Sequence, residues 1–164
     1  MDIIWEELTS GLPDARQLVH VLIRLVAATL LGAVVGIQRE RAGKPAGLRT
    51  HMLVTLGTAV FVLACSGVGM SSDGLSRVIQ GIVTGIGFIG AGSILKLNEE
   101  REVQGLTTAA GVWMTAAVGV AVGLGSLGVA LLSTFFTLVI LSLASRLEHR
   151  TDERQAAKVE AGNN

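Results

Sequence analysis

Residues 78–97 read VIQGIVTGIGFIGAGSILKL, twenty residues with no acid and a single base, Lys96, close to the far end. A helix rises ~1.5 Å per residue, so about 20 mostly apolar residues cross ~30 Å of hydrocarbon. The stretch has that length and composition. It also carries Gly81, Gly85, Gly87, Gly90 and Gly92, which weaken a helix in water but allow helix backbones to approach closely in lipid. The letters GIGFIG at 85–90 spell the dinucleotide-binding fingerprint. That motif needs a preceding strand, a following helix and an acidic residue about 20 positions on. Inside a membrane span, close helix packing is the favoured reading.

Working outward from this stretch, four more windows are long and apolar enough, at 18–37, 52–69, 106–123 and 127–146. The expected fold is therefore all-α, a polytopic bundle of about five transmembrane helices over residues 1–147, with a polar tail at 148–164. Short connections make neighbouring helices antiparallel. Fusing the fourth and fifth windows gives a segment too long for one span, and Gly123-Leu-Gly-Ser126 marks a turn between them. The chain is 50% hydrophobic and 16% charged, with 21 glycines, whereas soluble domains carry about 25% charged residues. Mean hydropathy is +0.60.

Thirteen basic and thirteen acidic side chains balance, so no global field draws in nucleic acid. Their placement sets the orientation, because cytoplasmic loops retain Lys and Arg. Arg39, Arg41, Lys44, Arg49, Lys96, Arg101, Arg146, Arg150, Arg154 and Lys158 fall on one side; Arg16 and Arg77 fall on the other. The N-terminus is expected outside and the C-terminus in the cytoplasm. The opening segment has Asp2, Glu6, Glu7 and Asp14 and no base, unlike a cleavable signal peptide, so the first span is expected to be retained. The lone Cys65 permits no intrachain disulfide and reads as a small buried hydrophobe.

Small residues predict the packing. Arg24, Ala28, Gly32, Gly36 and Glu40 recur every four residues in the first span. In the third, Gly81, Gly85 and Gly92 share a face with Phe88, while Gln80, Thr84, Gly87, Gly90 and Ala91 form another. Two small faces predict contact from two sides and a central third helix. The fourth carries a milder seam, Thr108, Gly111, Thr115 and Gly119; the fifth is bulky and expected at the periphery.

Arg24 is the one ionisable residue clearly inside a span. It either snorkels to the near surface or pairs with Asp73 of the outer loop. At the opposite end, Gln38-Arg39-Glu40-Arg41 and Leu48-Arg49-Thr50-His51 bracket a Gly-Lys-Pro-Ala-Gly turn. Positive-inside anchoring accounts for Arg41 and Lys44, but not for Glu40 and His51. A buried polar lock would have Glu40 accept from Arg39 or Arg49 and from His51.

No Asp or Glu lies within the five windows, although a magnesium path favours one or two carboxylates. The remaining candidate cation ligands are helix carbonyls and Gln80, Thr84, Ser93, Asn98 and Thr108. Ser66, Ser93 and Ser133 have no evident base, and His20, His51 and His149 lack metal-ligand spacing with one another or with Cys65. The expectation is no enzyme, no metal and no cofactor; only His51 with Glu40 approaches a reactive pair for lipid chemistry.

Gly36-Ile-Gln-Arg-Glu40, Ala46-Gly-Leu-Arg-Thr-His51, Gln80-Gly-Ile-Val-Thr-Gly-Ile-Gly-Phe-Ile-Gly-Ala-Gly92 and Gly105-Leu-Thr-Thr-Ala-Ala110, followed by Trp113, together resemble the MgtC/SapB family of bacterial membrane proteins, from the first span through the fourth. The resemblance implies a bacterial cytoplasmic (inner) membrane protein, linked to growth at low magnesium and, in pathogens, to survival inside host cells. It implies either magnesium transport or regulation of other membrane proteins, the F-type ATP synthase among them. The family positions it carries over are Arg39, Glu40, Arg49, Thr50, His51, Asp73, Gln80 and the third-helix glycines. Gln38 stands where an acid is often expected, which would weaken a charged lock. The best-known members add a soluble C-terminal domain, so this chain is expected to be the short form, in which the bundle itself acts. Two readings follow. The first is a non-enzymatic protein working through helix contacts, self-association through the first or third helix included. The second is a carrier or channel for magnesium or another small ion.

Overall fold

The computed structural model describes residues 14–67, 69–96 and 103–143. It is all-helical apart from one two-residue ladder. Helix α1 is Ala15–Arg41, α2 Leu48–Gly67, α3 Ser72–Gly92, α4 Leu106–Gly123 and α5 Leu127–Leu143. The first four are long and apolar enough to cross a membrane, and α5 is a shorter apolar helix of 17 described residues. The expected N-terminal segment before Asp14, the last residues of the fifth window and the tail at 148–164 lie outside the described residues.

Capping chemistry moves the helix ends away from the hydropathy windows. The Asp14 carboxylate accepts the Gln17 N–H at 2.8 Å and starts α1 three residues before the window. At its other end α1 runs four residues past Ile37, through Gln38-Arg39-Glu40-Arg41, so its 27 residues reach about 40 Å. Glu40 Oε2 accepts the Leu48 N–H at 2.9 Å and brings the start of α2 forward to Leu48. Ser71 Oγ accepts from the Gly74 N–H, with Asp73 in the first turn, so α3 begins at Ser72. It also ends early. The Ser93 hydroxyl donates to the Gly90 carbonyl at 2.7 Å, and Leu95–Lys96 then pairs antiparallel with Val103–Gln104. The expected span at 78–97 is corrected to 72–92.

Gly105 leads out of this ladder into α4 at φ +94°, where a side chain would be strained, and a Cβ there would run into the Ser93 carbonyl oxygen. At the end of α4, Gly125 N–H donates to the Val122 carbonyl and Ser126 N–H to the Ala121 carbonyl, each at 2.9 Å. With Gly125 at φ +82° this is a Schellman turn.

The centre of the bundle is not α3. In its most apolar 18-residue window α4 is 56% buried, against 11% for α3. Helix α2 lies between α1 and α4: Ala28 of α1, Ala59 of α2, Val118 and Val122 of α4 and Ala130 of α5 form one core cluster. A second, of Ala46, Ile86, Val112 and Ala116, attaches α3 to α4. The expected central third helix is thus overturned. A Cβ on Gly81, Gly85, Gly87 or Gly92 would meet nothing within 4 Å, and Gly90 alone of the five is buried, against Ala109. The periodicity showed correctly that α3 has two small faces; it carried no information on how many neighbours fill them. The first-helix seam packs as read, with Ala28, Gly32 and Gly36 buried, and so does the fourth-helix seam of Thr108, Gly111, Thr115 and Gly119. Leu131, Leu132, Phe135 and Phe136 of α5 are exposed, as expected of a peripheral helix.

Candidate functional site: a buried polar latch between three helices

The α1–α2 hairpin folds back because α1 must stop. Ala42 N–H returns to the Gln38 carbonyl, and Gly43 takes φ +66°. Across this turn the Glu40 carboxylate caps α2, leaning over Gly47 so closely that a Cβ there would sit 2.8 Å from Oε2. Within this hairpin His51 is fully buried, and its Nδ1 lies 2.9 Å from the Gly47 carbonyl oxygen. A carbonyl only accepts, so Nδ1 carries a proton. Nε2 has no hydrogen-bond partner among the described residues and faces Gly111 of α4. Arg39, 2% exposed, crosses to the same helix, where Nη2 donates to Thr108 Oγ1 at 3.1 Å.

Polar residues continue inward from this point. His51, Thr55 and Thr58 follow one another on the buried face of α2, opposite Thr108 and Thr115 of α4. Thr55 Oγ1 donates to the His51 carbonyl at 2.7 Å, and Thr115 Oγ1 to the Gly111 carbonyl at 2.8 Å. Each hydroxyl returns its proton to its own helix, so these threonines fill space without leaving a donor unmet. Backbones then close on one another. A Cβ on Gly32 would strike Thr55 Oγ1 and lie 2.7 Å from the His51 carbonyl oxygen. One on Gly119 would strike Thr58 Oγ1 and the Thr55 carbonyl oxygen. Helix α2 is gripped on both sides.

The sequence-derived cluster therefore divides. Arg39, Glu40 and His51 do come together at the hairpin, but the expected pairings differ. Glu40 takes the Leu48 N–H and not a proton from Arg39, Arg49 or His51, because capping a helix end is a shorter reach than crossing to another side chain. Arg49 is exposed and Thr50 half-buried, outside the latch. Gln38 Oε1 is buried with no partner among the described residues. The Arg24–Asp73 pair is also corrected. Arg24 Nη1 donates to the Gly123 carbonyl at 3.0 Å and its guanidinium lies against Gly125, while Asp73 sits in the first turn of α3. Thr55 and Thr58 were missed, although their spacing from His51 by four and seven already put all three on one helix face.

These features define an all-helical membrane protein with a core closed by glycine contacts and a buried cationic latch at one end. The MgtC family model matches residues 25–150, and the chain belongs to the MgtC family. It is 45% identical over 144 residues to Protein SrpB of Synechococcus elongatus, covering 81% of this chain and 79% of that one. It is 39% identical over 139 residues to the Putative magnesium transporter YhiD of Escherichia coli K12, covering 79% of this chain and 62% of that one. To Protein MgtC of Salmonella typhimurium LT2 it is 45% identical over 117 residues, covering 71% and 49%. The chain thus spans less than two thirds of YhiD and about half of MgtC. No solved structure matches it.

Proposed function

We propose that this chain is a multi-pass protein of the bacterial cytoplasmic membrane that acts without catalysis, by offering helix surface to membrane partners during adaptation to low magnesium or envelope stress. The observation that carries this reading is the contrast between a closed core and a bare α3. Where α1, α2 and α4 meet, Gly32, Gly36, Gly119 and Gly123 bring the backbones into close contact. Helix α3, by contrast, leaves most of its small residues uncovered.

The four bases of the α1–α2 hairpin, Arg39, Arg41, Lys44 and Arg49, support a cytoplasmic position for that end, with the N-terminus outside. Lipid surrounds the bundle, and its protein partners are other membrane proteins, with the F-type ATP synthase a candidate through the family resemblance. Photocrosslinkers at positions 80, 84 and 88 of α3, compared with 131 and 135 of α5 in membranes of magnesium-starved cells, test the reading. Discrete protein adducts are expected from α3 and only lipid adducts from α5; an α3 that yields lipid alone overturns it. Ion transport is the second reading, favoured by the name that YhiD carries.

A further inference from the structure

His51 is a titratable ring placed where the bundle gives one of its two nitrogens nothing to bond. The side chain is 0% exposed, in the first turn of α2, and its Nδ1 proton goes to the Gly47 carbonyl at 2.9 Å. That bond fixes the ring, so Nε2 is turned to α4, where a Cβ on Gly111 would lie 3.8 Å from it. No hydrogen-bond partner meets Nε2 among the described residues. The polar groups of the latch are already engaged: the Gly111 carbonyl accepts the Thr115 hydroxyl at 2.8 Å, the Thr108 hydroxyl accepts from Arg39 at 3.1 Å, and the Thr55 hydroxyl donates to the His51 carbonyl at 2.7 Å.

A second proton on this ring would create a donor and a unit charge at a buried point with no acceptor. Leaving a buried donor unmet costs its full desolvation, and more when the group is charged. The charged neighbours do not offset it. From α1, Arg39 carries like charge to the same face of α4, since Thr108 is one turn from Gly111. Glu40, the one acid at this end among the described residues, is exposed and spends a carboxylate oxygen on the Leu48 N–H. Arg41, Lys44 and Arg49 add further positive charge around the hairpin. Helix α4 brings no titratable side chain, and α3 carries only Asp73 and Arg77, in its first two turns at the opposite end of the bundle.

We infer that the hairpin end is an acid-sensitive latch, in which a second proton taken up at His51 Nε2 separates α2 from α4. The proton comes from the aqueous phase at that end and forms one N–H bond. Because Nδ1 keeps the ring on the Gly47 carbonyl, the new N–H cannot turn away; it finds an acceptor only when water enters between α2 and Gly111. That opening draws Thr108 from Arg39, whose helix stays packed on α2 through Gly32 and Gly36. Further along, Gly119 and Gly123 close on α2, so the movement is confined to the first turns. The neutral ring stabilises the closed latch in full above about pH 6.5, where an unfolded histidine is neutral too, and this contribution is lost as the pH falls below it. The device goes beyond the helix-contact reading and operates in the protein alone.

The test uses the full chain in detergent, with His20→Gln and His149→Gln so that His51 is the one imidazole left. Nitrogen NMR of the ring is expected to show Nδ1 alone protonated at about pH 8 and both nitrogens protonated at about pH 5. Over the same range the protection of the α4 amides around Gly111 against hydrogen exchange is expected to fall about tenfold, with intrinsic exchange divided out, while amides around Gly119 keep theirs. Adding His51→Gln should abolish the fall. The NMR reading needs no change at position 51, so a His51→Gln chain that fails to fold leaves the test intact. A ring doubly protonated at about pH 8, or still neutral at about pH 5, overturns the proposal. So does a ring that titrates without any change in α4 protection, or a folded His51→Gln chain that loses protection in acid as its parent does.

Discussion

Arg24 Nη1 donates to the Gly123 carbonyl at 3.0 Å, joining residues 99 positions apart in sequence. The Schellman turn satisfies the Ala121 and Val122 carbonyls and leaves Gly123 to find its own donor. A cation at a helix C-terminus is also favoured by the helix dipole. Arg24→Met keeps the aliphatic reach and removes the donor, so it should destabilise the bundle by about 1–3 kcal/mol, read as a lower melting temperature in detergent. Asp73→Arg should change little, and adding it to Arg24→Asp should rescue nothing. Rescue in the double variant would point to an Arg24–Asp73 pair in place of the contact to the Gly123 carbonyl.

The latch makes a sharper demand on Thr108. Its hydroxyl accepts from Arg39, a charged group almost wholly buried, and valine has the same shape without the acceptor. Thr108→Val is expected to cost about 1–3 kcal/mol, because hydrogen bonds to buried charged groups exceed ordinary ones. Thr108→Ser should retain most of the stability. Melting curves of the three proteins side by side decide the matter; an unchanged Val variant would mean that Arg39 does not depend on this contact.

Glu40 holds the start of α2 through one carboxylate oxygen on the Leu48 N–H. Glu40→Gln keeps an acceptor there and should be mild, whereas Glu40→Ala loses the cap and about 1 kcal/mol. Amide exchange at Leu48 should rise in the Ala variant and stay near the parent rate in the Gln variant. Equal exchange in both would assign the role to charge and not to capping.

The glycines separate core from surface in a single experiment. Gly119→Ala places a methyl against Thr58 Oγ1 and the Thr55 carbonyl, so backbone must move, at a cost of about 1–3 kcal/mol. Gly81→Ala meets open space and should leave the melting of the monomeric bundle unchanged or raise it slightly. If Gly81→Ala destabilises the detergent-solubilised monomer as much as Gly119→Ala does, the placement of α3 at the margin is wrong.

The fold was largely legible because runs of about 20 apolar residues have few uses besides crossing lipid. Helix ends were read less well. Hydropathy sees Ser71, Ser72 and Asp73 as polar loop, whereas their hydroxyl and carboxylate groups begin α3. The position of α3 was misread for a deeper reason: a small residue shows that close approach is allowed, and only coordinates show which approach is used. Gly119 and Gly123 make the point, since they look no different in sequence from Gly81 and Gly85 yet grip α2. In the latch, Arg39, Glu40 and His51 stood out as charged or titratable groups at a span end, but the contacts that place them include backbone groups and Thr108. Backbone partners leave no mark on composition.

Magnesium flux is the remaining decision. A carrier must present oxygen ligands along a path that Mg²⁺ can enter while keeping part of its water. Here α2 and α4 carry no carboxylate, and the Thr55 and Thr115 hydroxyls hydrogen-bond to their own helix carbonyls. Loosening the core should therefore not create a selective route: Gly119→Ala and Arg39→Gln proteins would be less stable but no more conductive to Mg²⁺ than the parent. Proteoliposomes loaded with a magnesium-sensitive dye measure this directly, and the parent protein is expected to match protein-free vesicles. Saturable uptake by the parent that is abolished in Arg39→Gln would instead make the latch part of a transport path and reverse the order of the two readings.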